Sequence, residues 1–273
     1  MGSFLLPYNA FGVLGSPHRI PFSFHGLYSA PTLTGGRMGA GIQPPTVAQG
    51  SEGNAFVDVV KVLFEPTAVF ERVRARPSFF APFLAIIAVQ CVLFFVNLSY
   101  LKIAVAAQAA AAGRPAPGTG ALAAFGLIGL IVVLGIIFML TGLILWVLAS
   151  VLGGGEAKFS TMLSVAAYSA VPSAILLSVV GTIVLYLKGA GQITSPQDMQ
   201  PALGLDLLVS GAKGFVGAVL KGINPFSIWG LVLMAIGVST TQRTSKGNGY
   251  TAAVAAFVIL LLIGAALSAA FGG

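Results

Sequence analysis

Apolar residues run through this chain in long uninterrupted stretches, separated by short polar or glycine- and proline-rich breaks. Five stretches carry no charged residue: Phe79 to Leu101, Ala121 to Leu152, Met162 to Leu187, Pro225 to Thr240 and Tyr250 to Phe271. A helix needs roughly 20 apolar residues to cross a bilayer. Inside lipid the backbone must satisfy its own hydrogen bonds, which leaves helices or a closed barrel. The runs are continuous rather than alternating, so they predict helices. The expected fold is all-α, a polytopic integral membrane protein with a bundle of five transmembrane helices.

Within that scheme Pro82 falls near the start of the first span, where a missing N–H is harmless. The second span is longer than a bilayer requires and must tilt or project. Pro172 interrupts the third, and the fourth is short but extendable at both ends. Lys102 to Gly120, rich in Ala, Gly and Pro, reads as a loop, and Gly153 to Glu156 as a tight one. Lys188 to Asp206 is polar. Leu207 to Lys221 reads as a short helix too polar to cross, lying at the interface.

The first 53 residues have no sustained periodicity and read as a disordered or mis-assigned leader, with Met38 a candidate true start. Residues 54–77 form a separate amphipathic opening segment, and 78–273 the five-span domain. Phe56, Val59, Val60, Leu63 and Phe64 recur at helical spacing, and Pro66 suits the first turn of a second helix. Val69, Phe70 and Val73 continue an apolar face opposite Glu71, Arg72, Arg74 and Arg76. Such helices either lie in the membrane interface, with Arg72, Arg74 and Arg76 reaching lipid phosphates, or dock on the bundle.

Charge refines the picture. Only 8% of residues are charged, against about 25% in soluble domains. The net charge of +7 sits in loops beside the spans, so it points to anionic lipid and to orientation, not to nucleic acid. With the N-terminus cytoplasmic, that side receives nine of the 14 Lys and Arg, including Lys61, Lys158, Arg243 and Lys246. The other side receives Lys102, Arg114, Lys188, Lys213 and Lys221. The positive-inside bias therefore places the N-terminus in the cytoplasm and the C-terminus outside.

Catalytic chemistry is sparse. His18 and His25 lie in the leader, and all seven acidic residues fall outside the spans. The lone Cys91 reads as a small buried hydrophobe. No phosphate-binding loop follows Gly153 to Gly155, and no cofactor or metal site is expected. Mild polarity remains inside the membrane, at residues such as Gln90, Asn97, Thr141 and Ser164, and most such groups bond between helices. The candidate intramembrane polar site is Tyr168, Ser169, Pro172, Ser173 and Asn224, with Pro172 freeing a backbone carbonyl. Small residues at Gly135, Gly142 and Ala149, and at Gly264, Ser268 and Gly272, predict close helix packing within the chain.

Three stretches resemble the Ypt-interacting protein (Yip) family in its bacterial branch. One runs from Gly154 through Phe159-Ser160 to Ala167-Tyr168-Ser169-Ala170-Val171-Pro172; a second is Asn224-Pro225-Phe226-Ser227-Ile228-Trp229 and the run to Gly237. The third is Leu63-Phe64-Glu65-Pro66-Thr67-Ala68-Val69-Phe70. Where family members commonly carry an acidic residue, Asn224 is an amide. The resemblance implies a five-helix bundle in the inner membrane of a bacterium, with a cytoplasmic N-terminus. Eukaryotic relatives bind Rab-type GTPases, but fold analogy does not carry function over. Two functions stay open: a non-enzymatic scaffold, adaptor or lipid-organising factor with membrane-protein partners, or a small transporter or channel for a neutral or hydrophobic solute.

Overall fold

The computed structural model describes residues 54–153, 156–200, 202–209 and 211–271. The leader, the Met38 start, His18, His25 and Gly272 lie outside them. Every regular element among the described residues is a helix: α1 Ala55–Lys61, α2 Pro66–Ala75, α3 Phe80–Val96, α4 Leu98–Ala111 and α5 Thr119–Gly153. α6 Phe159–Ser169 passes through a π-helical turn, Pro172–Leu176, into α7 Leu177–Lys188. α8 Gly214–Gly222, α9 Pro225–Gln242 and α10 Lys246–Phe271 complete the chain.

Four helical stretches are long and apolar enough to cross a membrane: α5, the continuous Phe159–Lys188, α9 and α10. The pair α3–α4, with a 65° turn between its halves, makes a fifth if the two halves are counted as one span. The protein is thus a polytopic helical membrane bundle, as the apolar runs predict. The ends are set by local chemistry. Asn54 caps α1 by accepting from the Phe56 amide, and Pro66 opens α2. At α9 the Asn224 side chain accepts from the amides of Phe226 and Ser227, while Ser227 Oγ accepts from the Asn224 amide. Arg243, in the left-handed conformation at φ 51°, ends α9 and turns the chain into α10.

The interval from Lys102 to Gly120 is not a loop. α4 occupies it as far as Ala111 and ends at Gly113, whose φ of +64° is the left-handed stop that glycine allows. Alanines in that interval favour helix more than its Gly and Pro oppose it. The 65° bend falls at Asn97 and sends α4 against the segment after α7, where Ala104, Leu185 and Ile193 form a small second cluster.

The main cluster lies at the other end, and α1 and α2 are part of it. Val62, Val69, Phe70 and Val73 are fully or almost fully buried against α6 and α9. This segment packs against the bundle. Gly237 makes the docking possible: a Cβ there would stand 2.6 Å from Val165 Cγ1 and 3.0 Å from the Phe70 ring. The small-residue stripe of α5 packs inside the chain in part, with Gly142 against Leu163 and Ala149 buried but open space at Gly135. The stripe of α10 does not. Gly264 has open space around it and Ser268 is exposed, so that face is turned away from the bundle.

Candidate functional site

Two regions carry organised polar chemistry. The first is the end of the bundle where α1 and α2 dock. Asp58 is buried on α1 and accepts two hydrogen bonds from Arg72 on α2, Nε to Oδ2 at 3.0 Å and a terminal nitrogen to Oδ1 at 2.6 Å. This fork-to-carboxylate bridge raises the Arg72 pKa further and fixes the two helices together. Arg72 is therefore committed to the protein, whereas Arg74 is half-buried and Arg76 exposed, with no ion pair among the described residues. The Arg72 side chain stays 36% exposed, so Asp58→Ala should cost about 2 kcal/mol, less than the loss from a fully buried pair. Denaturant unfolding should show the double change Asp58→Ala with Arg72→Ala to be milder than Asp58→Ala alone. Equal losses would mean the bridge is not what couples the helices.

Tyr168, from the candidate polar site, belongs to this end. It is completely buried, its hydroxyl donates to the Ala55 carbonyl at 3.1 Å, and it lies 3.1 Å from Ser78 Oγ. It ties the start of α1 and the α2–α3 link to α6. The outward face of α1 is apolar: Phe56 and Val60 are more than half exposed, and Phe64 is 76% exposed. Three of the five apolar residues at helical spacing, Phe56, Val60 and Phe64, are thus presented outward, while Val59 and Val62 take the inner positions. Lys158 and Arg243 are exposed at the same end, where Asn248 Nδ2 donates to the Leu152 carbonyl and joins the two loops.

The second region is a cavity of about 710 Å³ bounded by α3, α5, α7 and the segment before α9. Its polar seam is built by pairs. Gln90 Nε2 donates to the Ala174 carbonyl in the π turn at 2.6 Å and to Ser178 Oγ at 2.9 Å. Asn97 Nδ2 donates to Thr182 Oγ1 at 2.9 Å, while Asn97 Oδ1 is buried without a partner. Lys221, Gln200 and Asn224 line the far end. The turn beside it is held by Asp198, whose Oδ2 accepts from the hydroxyls and amides of both Thr194 and Ser195. Those bonds, the Thr194 hydroxyl first, hold its carboxyl at about 2, so it keeps its charge at any ordinary pH.

The structure therefore separates the expected site residues. Asn224 lines the cavity; Tyr168, Ser169, Pro172 and Ser173 do not. Ser173 Oγ donates to the Ala170 carbonyl, Ser169 Oγ is buried without a partner, and Pro172 opens the π turn. What sequence reasoning left among ordinary packing polars is the pair Gln90 and Asn97, seven residues apart and facing Ser178 and Thr182, four apart. That spacing was readable; its facing partners were not. Among the described residues no three His, Cys, Asp or Glu gather as a metal set.

The profile of the Yip1 domain matches residues 60–268, from the end of α1 through most of α10. The chain belongs to the Yip1-domain family. It is similar to the membrane protein YknW of Bacillus subtilis (strain 168), with 28% identity over 207 residues, covering 74% of this chain and 85% of that one. No solved structure matches. The matched region thus takes in α2 and the whole cavity lining, but of α1 only Val60 and Lys61.

Proposed function

We propose that this Yip1-domain protein is a non-enzymatic membrane adaptor or lipid-organising factor, working at the end of the bundle that carries α1 and α2. The observation that supports it is a fixed amphipathic platform. The inner face of α1–α2 is locked by Tyr168 and by the Asp58–Arg72 bridge. The outer face offers Phe56, Val60 and Phe64 beside Lys61, Arg74 and Arg76. Apolar residues at the depth of the acyl boundary with basic residues at the phosphates are the arrangement of an interfacial helix. The positive-inside bias supports a cytoplasmic position for this end with the C-terminus outside, and the bacterial relative supports the inner membrane of a bacterium. Membrane-protein partners would meet it at the loops Glu156–Lys158 and Arg243–Lys246.

The test is lipid selectivity of the full chain in nanodiscs of mixed anionic and zwitterionic lipid. Arg74→Gln with Arg76→Gln should weaken anionic enrichment by roughly 1 kcal/mol per charge. Arg72→Gln should instead lower stability and leave selectivity nearly intact. Selectivity unchanged by the double replacement would remove the platform from the account. Co-purification from native nanodiscs addresses the adaptor role, since a stoichiometric protein partner supports it. The transport reading has one specific support, the cavity with Asn224 on its wall. Solute-dependent flux in liposomes would favour it.

A further inference from the structure

The cavity lies at the opposite end of the bundle from that platform, and its lining divides by chemistry. Toward the middle of the bundle the polar groups are already used: Gln90 is bonded to Ala174 and Ser178, which leaves walls of Leu93, Val133 and Leu177. At the far end stands Lys221, which makes no ion pair and whose ammonium donates no hydrogen bond to protein among the described residues. Between the two, Asn97 Oδ1 is buried and lacks a donor. Along α7 the lining spans two turns from Leu177 to Leu185, about 12 Å at the helical rise. On the side between α3 and α5 the Phe94 ring forms part of the wall. Phe94 rests on Gly126, where a Cβ would stand 2.7 Å from the ring.

We propose that this cavity binds an acidic lipid, its acyl chain lying along α3, α5 and α7 and its anionic head held by Lys221. The volume suits a ligand of this size, since such sites hold about 300–1,000 Å³. A water-soluble solute would leave the leucine and valine walls unfilled. A neutral lipid would leave the lysine uncompensated beside them, and an unpaired cation in a mostly apolar setting is costly. The Phe94 ring is a side chain seated on a glycine, so it can swing aside and admit a chain from the bilayer. Asn97 Oδ1 would accept from a head-group hydroxyl where the lipid carries one, as phosphatidylglycerol does. The acidic group can belong to a fatty acid or to a phospholipid such as phosphatidylglycerol, and the two give separate arms of one test.

The full chain in phosphatidylcholine nanodiscs is titrated with oleate, with phosphatidylglycerol, and with additional labelled phosphatidylcholine, and bound lipid is counted by native mass spectrometry. Saturable binding of one molecule of an acidic probe, but not of phosphatidylcholine, is expected; the probe that saturates names the source. Lys221→Gln should weaken that binding about fivefold. Gly129→Leu should abolish it, because Gly129 lines the cavity and a Cβ there meets no atom within 4 Å. The added side chain obstructs the path of an acyl chain, and its Cβ displaces no neighbour, which an unchanged unfolding midpoint would verify. Equal uptake of neutral and acidic probes by the unaltered chain, or acidic binding undiminished in both variants, overturns the proposal. Neither result bears on the platform formed by α1 and α2.

Discussion

Tyr168→Ala is expected to destabilise the bundle by about 3–5 kcal/mol, the range for removing a fully buried aromatic side chain. The ring is completely buried in the main cluster, so its removal leaves a void that the flanking helices fill only in part. The hydroxyl adds a smaller share: it bonds the Ala55 carbonyl and lies against Ser78, linking α1 and the α2–α3 connection to α6. Tyr168→Phe keeps the ring and should cost about 1 kcal/mol, the net worth of an ordinary hydrogen bond. Unfolding in mixed micelles with rising denaturing detergent separates the two. Trypsin adds a local readout, because loosening of α1 and α2 should speed cleavage after Arg72 and Arg74 before the spans unfold. If alanine and phenylalanine cost the same, the ring is not the buttress described here.

Gly237→Val is the second large effect, expected to cost more than about 2 kcal/mol. Two terms oppose. Replacing glycine within a helix gains a few tenths to about 1 kcal/mol in propensity. Overpacking a filled core costs about 1–3 kcal/mol, and more when the obstacle is rigid. At Gly237 the first added carbon already meets Val165 Cγ1 at 2.6 Å and two atoms of the Phe70 ring at 3.0 Å. Valine adds two further carbons there, so packing wins over propensity. Gly135→Val is the matched control, because a Cβ at Gly135 has nothing within 4 Å and should be nearly neutral. Trimming the obstacle in the double variant Gly237→Val with Val165→Ala should recover part of the loss. Equal midpoints for the variants at positions 237 and 135 would show that close approach of α2, α6 and α9 is not what stabilises this end.

Both predictions concern residues in the stretches that resemble the Yip family, Ala-Tyr-Ser ending at Pro172 and the run ending at Gly237. The structure gives these motifs a physical reason. Tyr168 and Gly237 form the two sides of the pocket that receives α2, one by hydrogen bonding back to α1 and the other by leaving room for Phe70. Asn224 has a different task, closing the start of α9 and lining the cavity at the opposite end. Residues close in chemical type therefore serve separate ends of the bundle.

Helical class and the position of the apolar spans were legible in the chain alone, but the continuation of the first one past a bend into α4 was not. Uncharged runs exceeding the bilayer thickness leave a backbone no alternative to helix in lipid. Pro66, Asn224 and Gly113 act within one turn of their own position, so their effect is local. Tertiary structure decided the rest. Arg72 and Arg76 are alike in sequence, and only the position of Asp58 across the α1–α2 turn commits one to a part-buried bridge and leaves the other exposed. Tyr168 and Asn224 are both polar residues in apolar surroundings, and only the path of the chain sends one to the platform and the other to the cavity. Gln90 and Asn97 acquire their meaning from Ser178 and Thr182, more than 80 residues away, across a seam closed by packing. Hydropathy is a property of each residue and its near neighbours, so it fixes what enters the membrane. Which polar groups meet depends on distances between helices, and those exist only once the bundle has formed.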